Sequence, residues 1–129
     1  MFDASSEYYD LIYPNWKEYE REAALIAKLL RSLNPLCKTI LDVACGTGEH
    51  ARLLAAQGFV VDGVDLNPTF LRKAREKLPS GLFRQADMTD LHVPERYDAV
   101  LCLFSSIGYL HSLDRGARAL SCFREHLAP

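Results

Sequence analysis

The sequence predicts an α/β fold built on a doubly wound parallel sheet, and three observations carry that prediction. Apolar runs rich in β-branched residues alternate with segments whose apolar residues recur every three or four positions, so strands and helices are read in turn. One stretch, residues 39–51 (T-I-L-D-V-A-C-G-T-G-E-H-A), passes from strand through a glycine turn directly into helix. Asp42, Gly46, Asp65, Asp87 and Ser105 all lie at or after the C-terminal ends of strand candidates, where parallel sheets gather their ligands.

Composition bounds the classes. A chain of 129 residues is the size of one domain, read here as 1–129 with residues 1–35 forming an N-terminal cover and helix. Hydrophobic residues make up 49% and charged residues 25%, which suits a globular core and argues against disorder. The net charge of −2 comes with no basic block, so no nucleic acid partner is expected. The apolar runs fall short of the roughly 18 residues that span a bilayer, so no membrane association is expected. An N-terminus carrying Asp3, Glu7 and Asp10 lacks a signal peptide's basic start, and a cytoplasmic location is the expectation. Cys37, Cys45, Cys102 and Cys122 are scattered without zinc spacing and read as small buried or loop residues rather than metal ligands.

Taken in order, residues 8–14 (Y-Y-D-L-I-Y-P) are a dense aromatic cluster. Its rings can pack on the domain or cover a ligand, since aromatic faces suit both a cation and a flat ring. Tyr19, Ala23, Ile26, Ala27, Leu30 and Leu33 form one apolar stripe, which predicts a helix over 17–33 stopped by Asn34-Pro35. Strand 39–43 follows, then a helix over 49–57 with Ala51, Leu54 and Ala55 on one face and Gly58 as its stop. Residues 59–65 form a second strand ending in an acid. Asn67-Pro68 is a helix-start signal, with Leu71, Ala74 and Leu78 on the inner face. Arg72, Lys73, Arg75, Glu76 and Lys77 read as its solvated face. Residues 82–86 are a weaker third strand, 88–94 a connector, and 97–104 the most apolar strand, suited to a buried position. A polar loop, 105–109, leads to a last helix carrying Ala117, Leu120, Phe123 and Leu127 and capped by Asp114. The result is an incomplete Rossmann-like sheet of about four strands with helices on both faces.

Gly46-x-Gly48-x-x-Ala51, with Asp65 at about the interval of a ribose-binding acid, fits a dinucleotide fingerprint, so an NAD-binding oxidoreductase fragment is one reading. Asp42 points elsewhere: a carboxylate in the turn region opposes a pyrophosphate and suits a ligand carrying an ammonium and a sulfonium. Asp87-Met88 suits an adenine held by its amino group and its face. Asp42-Val43-Ala44-Cys45-Gly46-Thr47-Gly48, Val64-Asp65-Leu66, Gln85-Ala86-Asp87-Met88 and Tyr97-Asp98-Ala99-Val100 together resemble the successive motifs of class I S-adenosylmethionine-dependent methyltransferases. The Tyr8-Tyr9-Asp10 segment and Phe104-Ser105-Ser106-Ile107-Gly108 further resemble the subgroup that includes amino-sugar N-methyltransferases.

The resemblance implies S-adenosyl-L-methionine as cofactor and a small-molecule methyl acceptor, an amine in that subgroup. It implies that Ala44, Gly46 and Gly48 pass close to the methionine part with Asp42 nearby. Asp65 would bind the ribose hydroxyls beside Leu66, Asp87 the adenine amino group, and Met88 the ring face. Phe104 and Ser105 would lie beneath the methyl group, and Tyr9 and Tyr13 would cover it. The subgroup's histidine after S-S-I-G is Tyr109 here, which leaves Tyr9 and Tyr109 as the candidate catalytic residues contacting the acceptor, with His111 nearby. In the family the last helix leads into three more strands, whereas this chain stops at Pro129. A fragment of a longer product is therefore expected. The fourth strand would lie at an open edge through which a second copy could associate, and a non-catalytic cofactor-binding fragment that needs a partner chain is the alternative.

Overall fold

The structure, a computed structural model, describes residues 16–102, 121 and 123–128. Its first helix, α1 (Trp16–Leu33), buries Tyr19, Ala23 and Ala27 and half-buries Ile26 and Leu30, as the stripe requires. Leu33 departs from it at 76% exposed. It closes the last turn, past the edge of the surface the helix packs on, and lines up with exposed Leu25 and Leu29 at four-residue spacing on the outer face.

β1 (Thr39–Val43) is buried from Ile40 onward. Its first residues are clamped by Asp98, whose Oδ2 accepts from the backbone N–H groups of Lys38 (2.8 Å) and Thr39 (3.0 Å), while Thr39 Oγ1 accepts from the Asp98 N–H at 2.9 Å. These bonds hold the Asp98 carboxyl below its usual range. α2 (Glu49–Ala56) buries Ala51 and Leu54, and Gly58 ends it at φ 101°, a left-handed conformation that favours glycine.

β2 (Val60–Asp65) is buried from Val61 to Val64 and leads to α3 (Pro68–Lys77). Asn67 Oδ1 accepts from the N–H groups of Thr69 (2.9 Å) and Phe70 (3.2 Å), so the asparagine-proline start works as read. β3 (Phe83–Gln85) is short, and β4 (Ala99–Cys102) closes the described sheet.

The strands are parallel in the order β3-β2-β1-β4. β2 and β3 are laid down on one side of β1 and β4 on the other. The order reverses at β1, and the C-terminal ends there open a crevice. On one face Ile40, Val61 and Ala99 pack with Ala23 and Ala27 of α1, Ala51 and Leu54 of α2, and Leu71 and Ala74 of α3. On the other, Leu41, Val43 and Val64 are covered by Leu91 and Val93 of the connector, by Tyr97 and by Phe123 in the helical residues 123–125. Among the described residues no helix is long and apolar enough to cross a membrane.

One expectation about the fourth strand needs correction. Of β4, only Ala99 is buried and Val100, Leu101 and Cys102 are half-buried, since among the described residues β4 has a strand on one side only. β4 is the edge strand of the described sheet, as expected, and an isolated bridge lies just before it. Tyr97 N–H donates to the His126 carbonyl (2.8 Å) and Ala128 N–H to the Tyr97 carbonyl (2.7 Å), so Leu127 bridges Tyr97 in parallel. Leu127 therefore belongs to this bridge and not to the helical stripe where its spacing put it, and it is 42% exposed. Asp114, Ala117 and Leu120 of that expected helix lie outside the described residues.

Candidate functional site

The turn between β1 and α2 is built from three left-handed residues, Ala44 (φ 58°), Gly46 (φ 59°) and Gly48 (φ 83°). Such backbone costs an L residue about 1–2 kcal/mol, so Ala44 is held there by its surroundings. Cys45 N–H donates to the Val64 carbonyl at 3.0 Å, and Gly48 N–H to the Cys45 carbonyl at 3.2 Å.

The two glycines serve different ends. Among the described residues a Cβ at Gly46 would meet nothing within 4 Å, so on their side this backbone leaves room for a ligand to approach. A Cβ at Gly48 would lie 2.8 Å from both Cα and Cβ of Ala74, so its bareness lets α3 press against the loop. At Gly63 of β2 a Cβ would meet the Cys45 Cβ and Sγ at 2.9 Å and the Phe83 ring at 2.8 Å. The Cys45 side chain thus fills the place of the missing one. Its thiol is pushed well above its ordinary value by burial, then by Asp42 and Asp65, which makes it a packing group rather than a nucleophile.

Two acids meet at this turn. Asp65 Oδ2 accepts from Gly46 N–H at 2.8 Å and its Oδ1 from Asn67 N–H at 2.9 Å, so one carboxylate ties the glycine loop to the end of β2. Burial raises the Asp65 carboxyl, against the lowering effect of backbone N–H bonds from Asn67, Gly46 and Leu66. Asp42 is 2% exposed and has no hydrogen-bond partner among the described residues. Burial, and then the Asp65 charge, push its carboxyl up to about 7. A buried acid without a partner is costly to keep and points to a group that would complete it.

The remaining predicted residues follow the strand ends. Leu66, 61% exposed, stands beside Asp65, and its carbonyl accepts from Gln85 Nε2 at 3.0 Å. Ala86 N–H donates to the Asp65 carbonyl at 3.1 Å, which brings the end of β3 to the same rim. Asp87 Oδ1 closes its own turn by accepting from Thr89 N–H (2.8 Å) and Thr89 Oγ1 (2.7 Å). Met88 packs against the second-face cluster. Asp42, Ala44, Gly46, Gly48, Asp65, Leu66, Asp87 and Met88 are thereby gathered at the C-terminal ends of β1, β2 and β3. Tyr9, Tyr13, Phe104, Ser105, Tyr109 and His111 lie outside the described residues.

Sequence reasoning missed the polar shell behind the loop. Glu49, on the first turn of α2, is buried and is bound by Arg52 (Nε at 3.2 Å) and by Lys77 Nζ (3.1 Å). Lys77 also donates to Thr47 Oγ1 at 3.1 Å, so it does not belong to the solvated face on which its charge run placed it. Arg75 stays on the exposed face, as its charge run placed it, while its Nη2 donates to the Phe83 carbonyl at 2.6 Å. His50 is buried edge-on to Tyr19, 5.1 Å between ring centroids, with Glu22 Oε2 at 3.2 Å from its Nε2. The one local signal was Glu49 itself, an acid in the first turn of a helix that has no side-chain cap.

Comparison with known proteins bears on this arrangement. Residues 40–129 match the family described as "Methyltransferase domain". The dTDP-3-amino-3,4,6-trideoxy-alpha-D-glucopyranose N,N-dimethyltransferase of Streptomyces venezuelae is 38% identical over 96% of this chain and 53% of its own length. The dTDP-3-amino-3,6-dideoxy-alpha-D-glucopyranose N,N-dimethyltransferase of Streptomyces fradiae is 41% identical over 96% of this chain and 49% of its own length. Among solved structures, the S-adenosylmethionine-bound amino pentose methyltransferase CalS10 from Micromonospora echinaspora superposes with a TM-score of 0.87 at 32% identity, covering 94% of this chain and 52% of that one. The chain spans about half the length of the curated relatives it matches.

Proposed function

Since the chain belongs to the methyltransferase-domain family, we propose that it is the cofactor-binding part of an S-adenosylmethionine-dependent enzyme that methylates the amine of a nucleotide-linked amino sugar. The single observation that carries the cofactor is Asp42, a buried carboxyl with no partner among the described residues, set beside Asp65 and the bare Gly46 backbone. A ligand ammonium would complete it, whereas the pyrophosphate of NAD would meet a second negative charge. The amino-sugar acceptor is supported by the printed activities of the two Streptomyces relatives.

S-adenosylmethionine supplies an activated methyl group on sulfur, so the protein's part is alignment and the exclusion of water. Asp42 would hold the ammonium end, the Gly46 backbone would let that end approach, and Asp65 would hold ribose hydroxyls with oxygen lone pairs left over from its backbone bonds. Leu66 and Met88 would bracket the adenine, whose amino group goes to Asp87. Tyr13, Phe104 and Ser105 are proposed to close the pocket around the methyl group, and Tyr9 and Tyr109 to contact the acceptor. An acceptor amine attacks only as the free base, so a pocket that strips its water, or a nearby base that takes its proton, would serve the step. The half-length coverage favours a second reading, in which the described site binds cofactor but turnover requires the remaining part of the fold, on this polypeptide or another.

Calorimetric titration with S-adenosylhomocysteine, with NAD as control, tests the proposal. Saturable binding of the first ligand alone, lost or strongly weakened in Asp65→Ala, is the expected result. Binding of NAD in its place, or no binding by a folded chain, would overturn it.

A further inference from the structure

We propose that Lys77 is a positioning residue for the cofactor loop, a cation at the end of α3 that holds the Thr47-Gly48-Glu49 backbone where the ligand must find it. The inference rests on the functional reading above but concerns a residue on the far side of the loop. Its Nζ lies 3.1 Å from Thr47 Oγ1 and 3.1 Å from Glu49 Oε2, so a single ammonium spans the residues on either side of Gly48. One helical turn earlier, Ala74 meets Gly48 so closely that a Cβ there would fall 2.8 Å from the Ala74 Cα. Ala74 and Lys77 share a face of α3, and together they form a seat with an apolar floor and a cationic clasp.

The clasp is placed to matter. The Lys77 side chain is 23% exposed and that of Glu49 8%, so their attraction is screened less than that of a surface pair. Glu49 stands in the first turn of α2, whose N–H groups face the glycine turn. Without its cations the carboxylate would put an uncompensated charge against the anionic end of an amino-acid-like ligand. Asp65 fixes the loop from the front through Gly46, and Lys77 fixes it from behind through Thr47 and Glu49. These ties add to the backbone bonds of Cys45 and Gly48 in holding three left-handed residues within five positions.

The test compares Lys77→Met, Lys77→Arg, Thr47→Val and Arg72→Met in the full chain, the last removing an exposed cation from the same helix. S-adenosylhomocysteine titration is expected to show affinity about tenfold weaker in Lys77→Met, recovered in Lys77→Arg, intermediate in Thr47→Val and unchanged in Arg72→Met. Amide hydrogen exchange of the ligand-free proteins is the second readout. Residues 46–50 should exchange faster in Lys77→Met while the β1 and β2 amides keep their protection, a pattern general destabilisation would not give. Wild-type affinity in Lys77→Met, or no recovery in Lys77→Arg, would overturn the proposal. If the wild-type chain binds no S-adenosylhomocysteine, the functional reading fails by itself, and exchange at 46–50 still decides whether Lys77 holds the loop. Should Lys77→Met not fold, the same two measurements on Thr47→Val decide, wild-type behaviour there counting against the clasp.

Discussion

Alanine placed at Gly46 and at Gly48 separates the two tasks that one glycine motif performs. At Gly48 the new methyl has two costs: a left-handed φ of 83°, about 1–2 kcal/mol, and a contact 2.8 Å from the Ala74 Cα. Backbone cannot rotate aside as a flexible side chain can, so relief requires α3 to shift, at about 1–3 kcal/mol. Gly48→Ala should therefore lose roughly 2–5 kcal/mol of stability. At Gly46 the φ of 59° gives the first cost alone, about 1–2 kcal/mol, because no described residue lies within 4 Å of the added Cβ. The methyl instead occupies the space where the ligand approaches, and S-adenosylhomocysteine affinity should fall more than about tenfold, or 1.4 kcal/mol. Urea unfolding with matched m-values and calorimetric titration measure the two effects. Equal stability of the two variants would refute the packing argument, and undiminished affinity in Gly46→Ala would refute the assignment of the open side to the ligand.

The other expectations concern the acids. The Asp42 carboxyl moves from 3.8 to about 7 on folding, so between those values the folded chain holds a proton that the unfolded chain has released. Stability should be greatest near the lower value, fall by roughly 3–4 kcal/mol at most as pH rises to about 7, and stay low above it. Asp42→Asn should flatten most of this slope and unfold at higher urea than wild type at pH 8; an unchanged slope would contradict the assignment. A ligand ammonium favours the ionised form, so S-adenosylhomocysteine binding at pH 6 should release protons, read from heats in buffers of different ionisation enthalpy, and heats independent of the buffer would count against Asp42 as its partner. Tyr97 OH donates to Asp62 Oδ2 at 2.6 Å with both residues buried, so Tyr97→Phe should cost about 2 kcal/mol while leaving ligand affinity within about twofold; a variant as stable as wild type would show the bond to be dispensable.

What could be read before the structure was local. The strand-glycine-helix passage, the Asn67-Pro68 start and the Gly58 stop each depend on residues a few positions apart, and all three stand. Leu33 lies outside the buried stripe because helical periodicity gives a face but not how far the neighbouring surface extends along it. Lys77 reads as a solvated charge in the sequence because Thr47 and Glu49, its partners, are some thirty positions away and adjacent only after β2 is threaded. The same holds for Gly48, whose need for a bare Cα is set by Ala74. Asp42 was legible as a ligand-facing acid from its place before the turn, but its burial and lack of a partner among the described residues depend on β1 being flanked by both β2 and β4.

The cysteine in D-V-A-C-G-T-G has a consequence for how such sequences can vary. Cys45 occupies the volume that a side chain at position 63 would need, and the Phe83 ring closes the other side of that volume. Loop and strand therefore share one space between two positions. A larger residue at 63 would require a smaller one at 45, and a bulky residue at 45 is admissible only while 63 stays bare. In an alignment of relatives the two columns should change together, and the motif letter between alanine and glycine would be a record of β2 as much as of the ligand.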